Sequence, residues 1–221
     1  MEQSGTFIVL EGPDGSGKTT QIGKIEAYLR ERGVDYISTR EPGGVQVAEK
    51  IRSVILDVDN DMSGLTECLL YAAARREHLI RKVIPALEAG KVVICDRYIM
   101  SSLSYQGYGR ELGGAVLDIN KRAINVNGKE YWPDRNLYLD VTPEVGLQRI
   151  HAKHAQREIN RLDLEEEDFH RRVREGYLNL TREYAGQFVT IDASQSEEHV
   201  FADIKEVIEN LLFGGAEQDF S

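Results

Sequence analysis

Apolar residues along this chain follow two rhythms. Short unbroken runs occur at Phe7–Leu10, Tyr36–Ser38, Val92–Cys95, Leu137–Val141 and Phe188–Ile191. Between them, apolar side chains return at helical spacing. Examples are Ile22, Ile25 and Leu29; Leu79, Ile80, Val83, Ile84 and Leu87; and Val200, Ile204, Val207, Ile208 and Leu211. The runs predict buried strands, and the spaced stripes predict amphipathic helices. Strands alternating with helices imply βαβ units: an α/β fold with a mostly parallel sheet covered on both faces. Ligands of such sheets sit beyond the carboxyl ends of the strands, so the residues just after each run are the ones to inspect. No internal repeat or low-complexity linker interrupts the chain, which predicts one domain over residues 1–221. One stretch departs from the rhythm. Ala152 to Asp168 is strongly charged and poor in apolar residues, and reads as a mobile lid or an exposed helix end.

The first run delivers Gly12-Pro-Asp-Gly-Ser-Gly17-Lys18-Thr19, which satisfies G-x-x-x-x-G-K-[ST] between a strand and a helical stripe. Over Gly12, Pro13, Asp14, Gly15, Ser16 and Gly17 the glycines let the backbone curl, so that N–H groups point at phosphate oxygens. The helix that follows adds its positive N-terminal end. Lys18 would reach the β- and γ-phosphates, and the Thr19 hydroxyl would ligate Mg²⁺. This motif calls for a nucleoside triphosphate and says nothing about what receives the phosphoryl group.

The third run ends in Asp96 and Arg97. An acid at the end of a strand beside the P-loop completes a Mg²⁺ site, directly or through water. Arg97 can clamp a further phosphate with its paired N–H groups. After the second run, Arg40 and Glu41 precede Pro42-Gly43-Gly44, a sharp stop that leaves both charges facing the same opening. Arg52 lies in the helical pattern beyond.

Charge narrows the ligand class. With 37 acidic against 27 basic residues the formal net charge is −10, which argues against a duplex nucleic acid or a membrane surface as partner. An anionic ligand must then find its cations gathered locally in a cleft. The two cysteines, Cys68 and Cys95, sit among apolar neighbours and read as buried thiols rather than a disulfide frame. There is no basic-then-apolar leader pattern at the N-terminus and no apolar run near the ~20 residues of a membrane span, so a soluble, cytoplasmic protein is expected.

Two classes of P-loop protein compete: a GTP-dependent switch and a kinase for a small acceptor. The switch reading can cite Asp61-Met-Ser-Gly64 and Asn120-Lys121, but Ala123 stands where a carboxylate must receive the guanine N–H groups. A kinase needs an acceptor site and a means of excluding water, and Ala152–Asp168 supplies a candidate lid carrying Arg157 and Arg161. At i, i+4 these would share one helix face and could both reach the nucleotide phosphates. No catalytic base is evident. If the acceptor is itself a phosphate its oxygen is already anionic, so positioning and charge neutralisation suffice. That points to a nucleoside monophosphate kinase.

The chain resembles the bacterial thymidylate kinases in Glu11-Gly-Pro-Asp-Gly-Ser-Gly-Lys-Thr-Thr-Gln21, Thr39-Arg-Glu-Pro-Gly-Gly44 and Tyr71-Ala-Ala-Ala-Arg-Arg-Glu-His78. The resemblance continues through Cys95-Asp-Arg-Tyr98, Ser101-Ser-Leu-Ser-Tyr-Gln-Gly107 and Asn160-Arg-Leu-Asp163, in the family's order over nearly the whole chain. It implies the P-loop nucleoside monophosphate kinase fold with a five-stranded parallel sheet, a homodimer, and conversion of dTMP to dTDP by Mg·ATP. It also implies roles for single residues. Asp14 would contact the sugar and phosphate region of dTMP, with Arg40, Glu41 and Arg52 around its phosphate, and Arg97 would bridge the two substrates' phosphates. Tyr71, where the family usually has Phe, would stack on the thymine. Arg75 would hydrogen-bond the base, Ser102 and Gln106 would read the pyrimidine edge beside Ser101, and Tyr105 would crowd C2′ and reject ribonucleotides. The P-loop contains no Arg, so Arg157 and Arg161 place the chain with the lid-arginine type. The segment Asn127–Asp134 reads as a surface loop.

Overall fold

The computed structural model describes residues 5–152 and 161–214. In chain order the elements are β1 (Phe7–Glu11), α1 (Lys18–Glu31), β2 (Tyr36–Arg40), α2 (Gln46–Leu56), α3 (Gly64–His78), α4 (Ile84–Glu88), β3 (Val92–Asp96), α5 (Ile99–Ser102), α6 (Ala115–Ile124), β4 (Asn125–Val126), β5 (Lys129–Glu130), β6 (Arg135–Asp140), α7 (Pro143–Ala152), α8 (Glu167–Glu183), β7 (Phe188–Asp192) and α9 (Glu197–Phe213). The five long strands form one parallel sheet in the order β2-β3-β1-β6-β7. Each apolar run of the sequence is one of these strands. Most also take in a polar residue at the carboxyl end; of these, Arg40 and Asp96 line the site and Glu11 is buried beneath it.

Alternation along the strands divides the core. Phe7 and Val9 of β1, with Val93 and Cys95 of β3, face a cluster built from α3 to α6 and α8. Ile8, Leu10 and Ile94 face the opposite cluster, closed by Ile22, Ile25 and Leu29 of α1 and by Val200, Ile204 and Ile208 of α9. Burying each such side chain contributes roughly 1.5–3 kcal/mol, and both faces of the sheet gain. Cys68 and Cys95 are buried free thiols in the first cluster. Among the described residues no helix is long and apolar enough to cross a membrane.

Three places differ from the pattern read in the sequence. The helical stripe expected to run on through Leu87 widens into a π-helical turn at Leu79–Val83 before α4, and a second such turn, Leu103–Gly109, follows α5. The expected surface loop at Asn127–Asp134 begins as an antiparallel hairpin of β4 and β5. Asn127 and Gly128 at its tip have φ of 53° and 85°, the positive pair that a two-residue hairpin turn with the natural strand twist requires. In the charged segment, Arg161–Leu164 forms a short 3₁₀ turn rather than a continuing helix face, and α8 begins at Glu167. Arg157 lies outside the described residues.

Candidate active site

A cleft of about 1410 Å³ opens beyond the carboxyl ends of β1, β2 and β3, where the strand–helix alternation placed it. One end is the P-loop. Gly12, Gly15 and Gly17 have φ of 144°, 78° and 93°, and a Cβ on Gly15 would lie 2.2 Å from the carbonyl oxygen of Gly146. Only glycine fits there. Gly17 caps α1 with no side-chain hydrogen bond, and among the described residues no side chain takes the first N–H groups of the helix, which suits an anion. Ser16 is buried within the loop and Thr19 stands exposed on it. Lys18 Nζ donates to the carbonyl oxygens of Gly12 and Pro13, at 2.9 Å each. Burial, with the positive charge of Arg97 nearby, pushes its pKa down to about 8.

Asp96 faces the P-loop from β3. Its Oδ1 is buried with no hydrogen-bond partner among the described residues, an unusual and costly state for a carboxylate oxygen. A cation or its bound water satisfies such an atom. Thr19 and Asp96 therefore fit the sparse protein share of a Mg²⁺ site, in which substrate phosphates and water supply most ligands.

Arg97 is the junction of the cleft. Its backbone is left-handed at φ 70°, a strained state for a residue with a Cβ. Two hydrogen bonds from backbone N–H groups hold it there: Arg97 N donates to Leu10 O at 2.9 Å, and Tyr98 N donates to the Glu11 carboxylate at Oε1, at 2.9 Å. The guanidinium donates to Gly12 O (3.0 Å), Asp14 Oδ1 (2.9 Å), Ser101 Oγ (3.2 Å) and the Tyr105 hydroxyl (3.2 Å). Beneath it Glu11 accepts from the hydroxyls of Ser101 (2.6 Å) and Tyr177 (2.9 Å), and burial raises its pKa.

The other end is a chamber lined by Tyr71, Arg75, Ser102, Tyr105 and Gln106. Arg75 is 2 % exposed. It donates to Glu41 Oε2 (2.8 Å), Tyr98 O (2.9 Å) and Ser102 Oγ (3.2 Å), and also to Asn120. The second Glu41 oxygen pairs with His78 Nδ1 at 2.9 Å, and His78 Nε2 meets Thr39 Oγ1 at 2.7 Å. Glu41, expected beside an acceptor phosphate, lines the cleft and pairs with Arg75 and His78 in the chamber wall. Asn120, the start of the guanine-reading match, is likewise held on Arg75. Arg40 and Arg52 line the cleft too. Arg40 is exposed and pairs with Glu49 at 2.9 Å, while Arg52 donates to Pro42 O at 2.9 Å and burial lowers its pKa. Burial raises the pKa of Tyr71.

The thymidylate kinase family model matches residues 10–204. The chain belongs to the thymidylate kinase family. It is 55 % identical over 203 residues to a thymidylate kinase of Clostridium novyi, covering 91 % of this chain and 97 % of that one. It is 52 % identical over 200 residues to one from a Geobacillus strain, covering 90 % and 93 %. Its fold matches the crystal structure of thymidylate kinase from Ehrlichia chaffeensis with a TM-score of 0.74 at 30 % identity, covering 93 % of this chain and 99 % of that one. Its reaction is the ATP-dependent phosphorylation of dTMP to dTDP.

For a thymidylate kinase the cleft brings together Lys18, Asp14, Asp96, Arg97 and the chamber residues, but it does not bring Arg161 to the P-loop. Arg161 donates to Ile55 O at 3.2 Å and to the buried carboxylate of Glu67, because its 3₁₀ turn packs on α2 and α3. Sequence reasoning passed over Glu11, Glu67, His78 and Tyr177, whose partners lie far away in the chain. It also passed over Arg149, which donates to Ala193 O at 2.9 Å and lines the cleft with Gln195 beyond the P-loop. No spacing rule marks any of these five.

Proposed function

We propose that the whole chain acts as one dTMP kinase domain in which Arg97 holds the phosphates of both substrates. The observation that carries this is the Arg97 guanidinium, hydrogen-bonded at once to Gly12 O and Asp14 of the P-loop and to Tyr105 on the chamber side. An oxygen of the dTMP phosphate, anionic at neutral pH, attacks the γ-phosphorus of ATP. The bond to the β–γ bridging oxygen breaks, and ADP leaves with that electron pair. Lys18 and the N–H groups of the P-loop and α1 neutralise charge on the transferred group and on the leaving group. Thr19 and Asp96 would hold Mg²⁺, which when bound offsets the charge of the β- and γ-phosphates.

Arg40 and Arg52 orient the dTMP phosphate at the cleft mouth. Tyr71 stacks on the thymine, while Arg75, Ser102 and Gln106 meet its polar edge. Tyr105 crowds the sugar, and Arg149 and Gln195 border the ATP base. The enzyme works in the cytoplasm as a homodimer. Val47 and Val54 of α2 and Leu65 and Leu69 of α3, each about half exposed, offer a second copy an apolar face. Sedimentation of a monomer at micromolar concentration would refute that pairing. The reaction is tested by following ADP release with Mg·ATP and dTMP, dUMP, dCMP, UMP, thymidine or water as acceptor. Fast turnover with dTMP and far slower turnover with the rest is expected; equal ADP release without an acceptor would overturn the reading.

A further inference from the structure

One wall of the chamber is Gln106, in the π-helical turn after α5 and only 1 % exposed. Its Nε2 donates to Glu67 Oε1 at 2.7 Å. Glu67, on α3, is itself fully buried. Arg110 donates to its Oε2 at 3.0 Å, Arg161 donates to the same oxygen, and Arg110 is braced in turn by Glu165 at 2.5 Å. A carboxylate gripped by two guanidinium groups offers acceptors and no donor. It therefore admits only the NH₂ end of the Gln106 amide, and the carbonyl oxygen is the end left for the chamber. A free glutamine turns its amide either way at little cost. This one cannot turn without setting its oxygen against an oxygen of Glu67.

We propose that Glu67 is a specificity-positioning residue: by locking the Gln106 amide with its oxygen toward the pyrimidine, it selects bases whose N3 carries a hydrogen and rejects cytosine. The N3–H of thymine or uracil donates to Gln106 Oε1. Cytosine presents a bare N3 lone pair at that position, so two acceptors face each other in a dry site and neither is satisfied. Were the amide reversed, its NH₂ would suit cytosine and repel thymine. The class of base admitted is thus set by a carboxylate behind one of the side chains that meet its edge. This inference rests on the dTMP reading above.

The test compares kcat/KM for dTMP and dCMP, with Mg·ATP, in the wild-type enzyme, Glu67→Gln and Glu67→Asp. Gln at position 67 both donates and accepts, so it frees the Gln106 amide to turn; the dTMP-to-dCMP ratio is expected to fall at least about tenfold. Asp keeps acceptor-only chemistry, and the ratio is expected to stay near wild type even where overall activity drops. A Glu67 that merely braces Arg110 and Arg161 would scale both substrates together. An unchanged ratio in folded Glu67→Gln, with folding checked by a cooperative melt, would therefore overturn the proposal. The wild-type enzyme supplies a measurement independent of variant folding. Binding of N3-methyl-dTMP is expected to be at least about tenfold weaker than that of dTMP, and equal affinity would overturn the proposal as well. A wild-type enzyme inactive on dTMP would remove the underlying reading instead, a result distinct from active enzyme with an unchanged ratio.

Discussion

At the P-loop end of the cleft the polar groups come from one stretch, Gly12–Thr19, and most of them are backbone. At the chamber end they are side chains from β1, the bend after β2, α3, α5 and the turn beyond it, joined by hydrogen bonds spanning dozens of residues: Arg75 to Glu41, Gln106 to Glu67, Ser101 to Glu11. Triphosphate is a repetitive anion, and a curl of N–H groups with one Lys meets it without needing to know its base. A pyrimidine edge has a particular order of donors and acceptors, so each group that reads it must be fixed in orientation. Here buried carboxylates do the fixing. Glu11 holds Ser101 and Tyr177 beneath Arg97, Glu41 holds Arg75, and Glu67 holds Gln106. Breaking the first end should damage the chemistry for every acceptor, whereas breaking the second should change which acceptor is used.

The largest effect is expected where the two ends meet. Arg97→Ala removes the guanidinium shared by Gly12, Asp14 and Tyr105, and should lower kcat at least about 10²-fold, as loss of a charge-stabilising donor does elsewhere. Arg97→Lys should not restore it, because a point charge cannot reproduce a planar fork bonded in several directions. Steady-state kinetics with dTMP settles the matter: near-normal kcat in the Ala variant would mean that the clamp lies elsewhere.

The same contrast governs how much could be read from the sequence. The five parallel strands were legible because alternating burial leaves runs of apolar residues, and the P-loop because its geometry is local and confined to a fixed spacing. Asp96 and Arg97 were legible as the residues that follow an apolar run. The supports were not. Tyr177 reaches Glu11 across 166 residues and Arg161 reaches Glu67 across 94, and no period or spacing encodes such a pair. Its charge and its place in a charged segment make Arg161 look like a phosphate ligand, and the family resemblance sets Glu41 around the acceptor phosphate. Both pair with buried groups, since a buried carboxylate or guanidinium needs a partner more than an exposed one does. The β4–β5 hairpin escaped notice because each of its strands is two residues long, too short for an alternation to show.

A second, smaller effect separates the ends by pH. Lys18 titrates at about 8 in the free enzyme, because burial and Arg97 disfavour its charge. Bound triphosphate favours the ammonium, so the protonated enzyme is the form that binds. As pH rises through 8 that form is depleted, and kcat/KM for ATP should fall toward tenfold per pH unit. Below pH 8 Lys18 is already charged and the profile should be flat on its account. Dissociation constants for dTMP, measured without nucleotide, should show no matching break near pH 8. A break of equal size for both ligands would mean that the titrating group serves the whole cleft rather than the P-loop end.

The smallest effect tests the chamber end through a residue that lines no part of the cleft. His78 is fully buried behind Glu41, with one ring nitrogen on that carboxylate and the other on Thr39. In His78→Gln the amide can reach one partner but not both, so Glu41 loses a neighbour and Arg75 loses part of what orients it. Stability should drop by roughly 1–3 kcal/mol, the usual cost of a buried polar group left unpaired. That loss alone would not distinguish a structural role. The distinguishing readout is the split between substrates: KM for dTMP should rise by roughly threefold to tenfold, the equivalent of about 1 kcal/mol of lost hydrogen bonding, while KM for ATP stays near wild type. Among the described residues the P-loop shares no partner with His78, so only the chamber should register its loss. A parallel rise in both KM values would show that the two ends answer as one unit, and the division between backbone cradle and carboxylate-braced chamber would have to be given up.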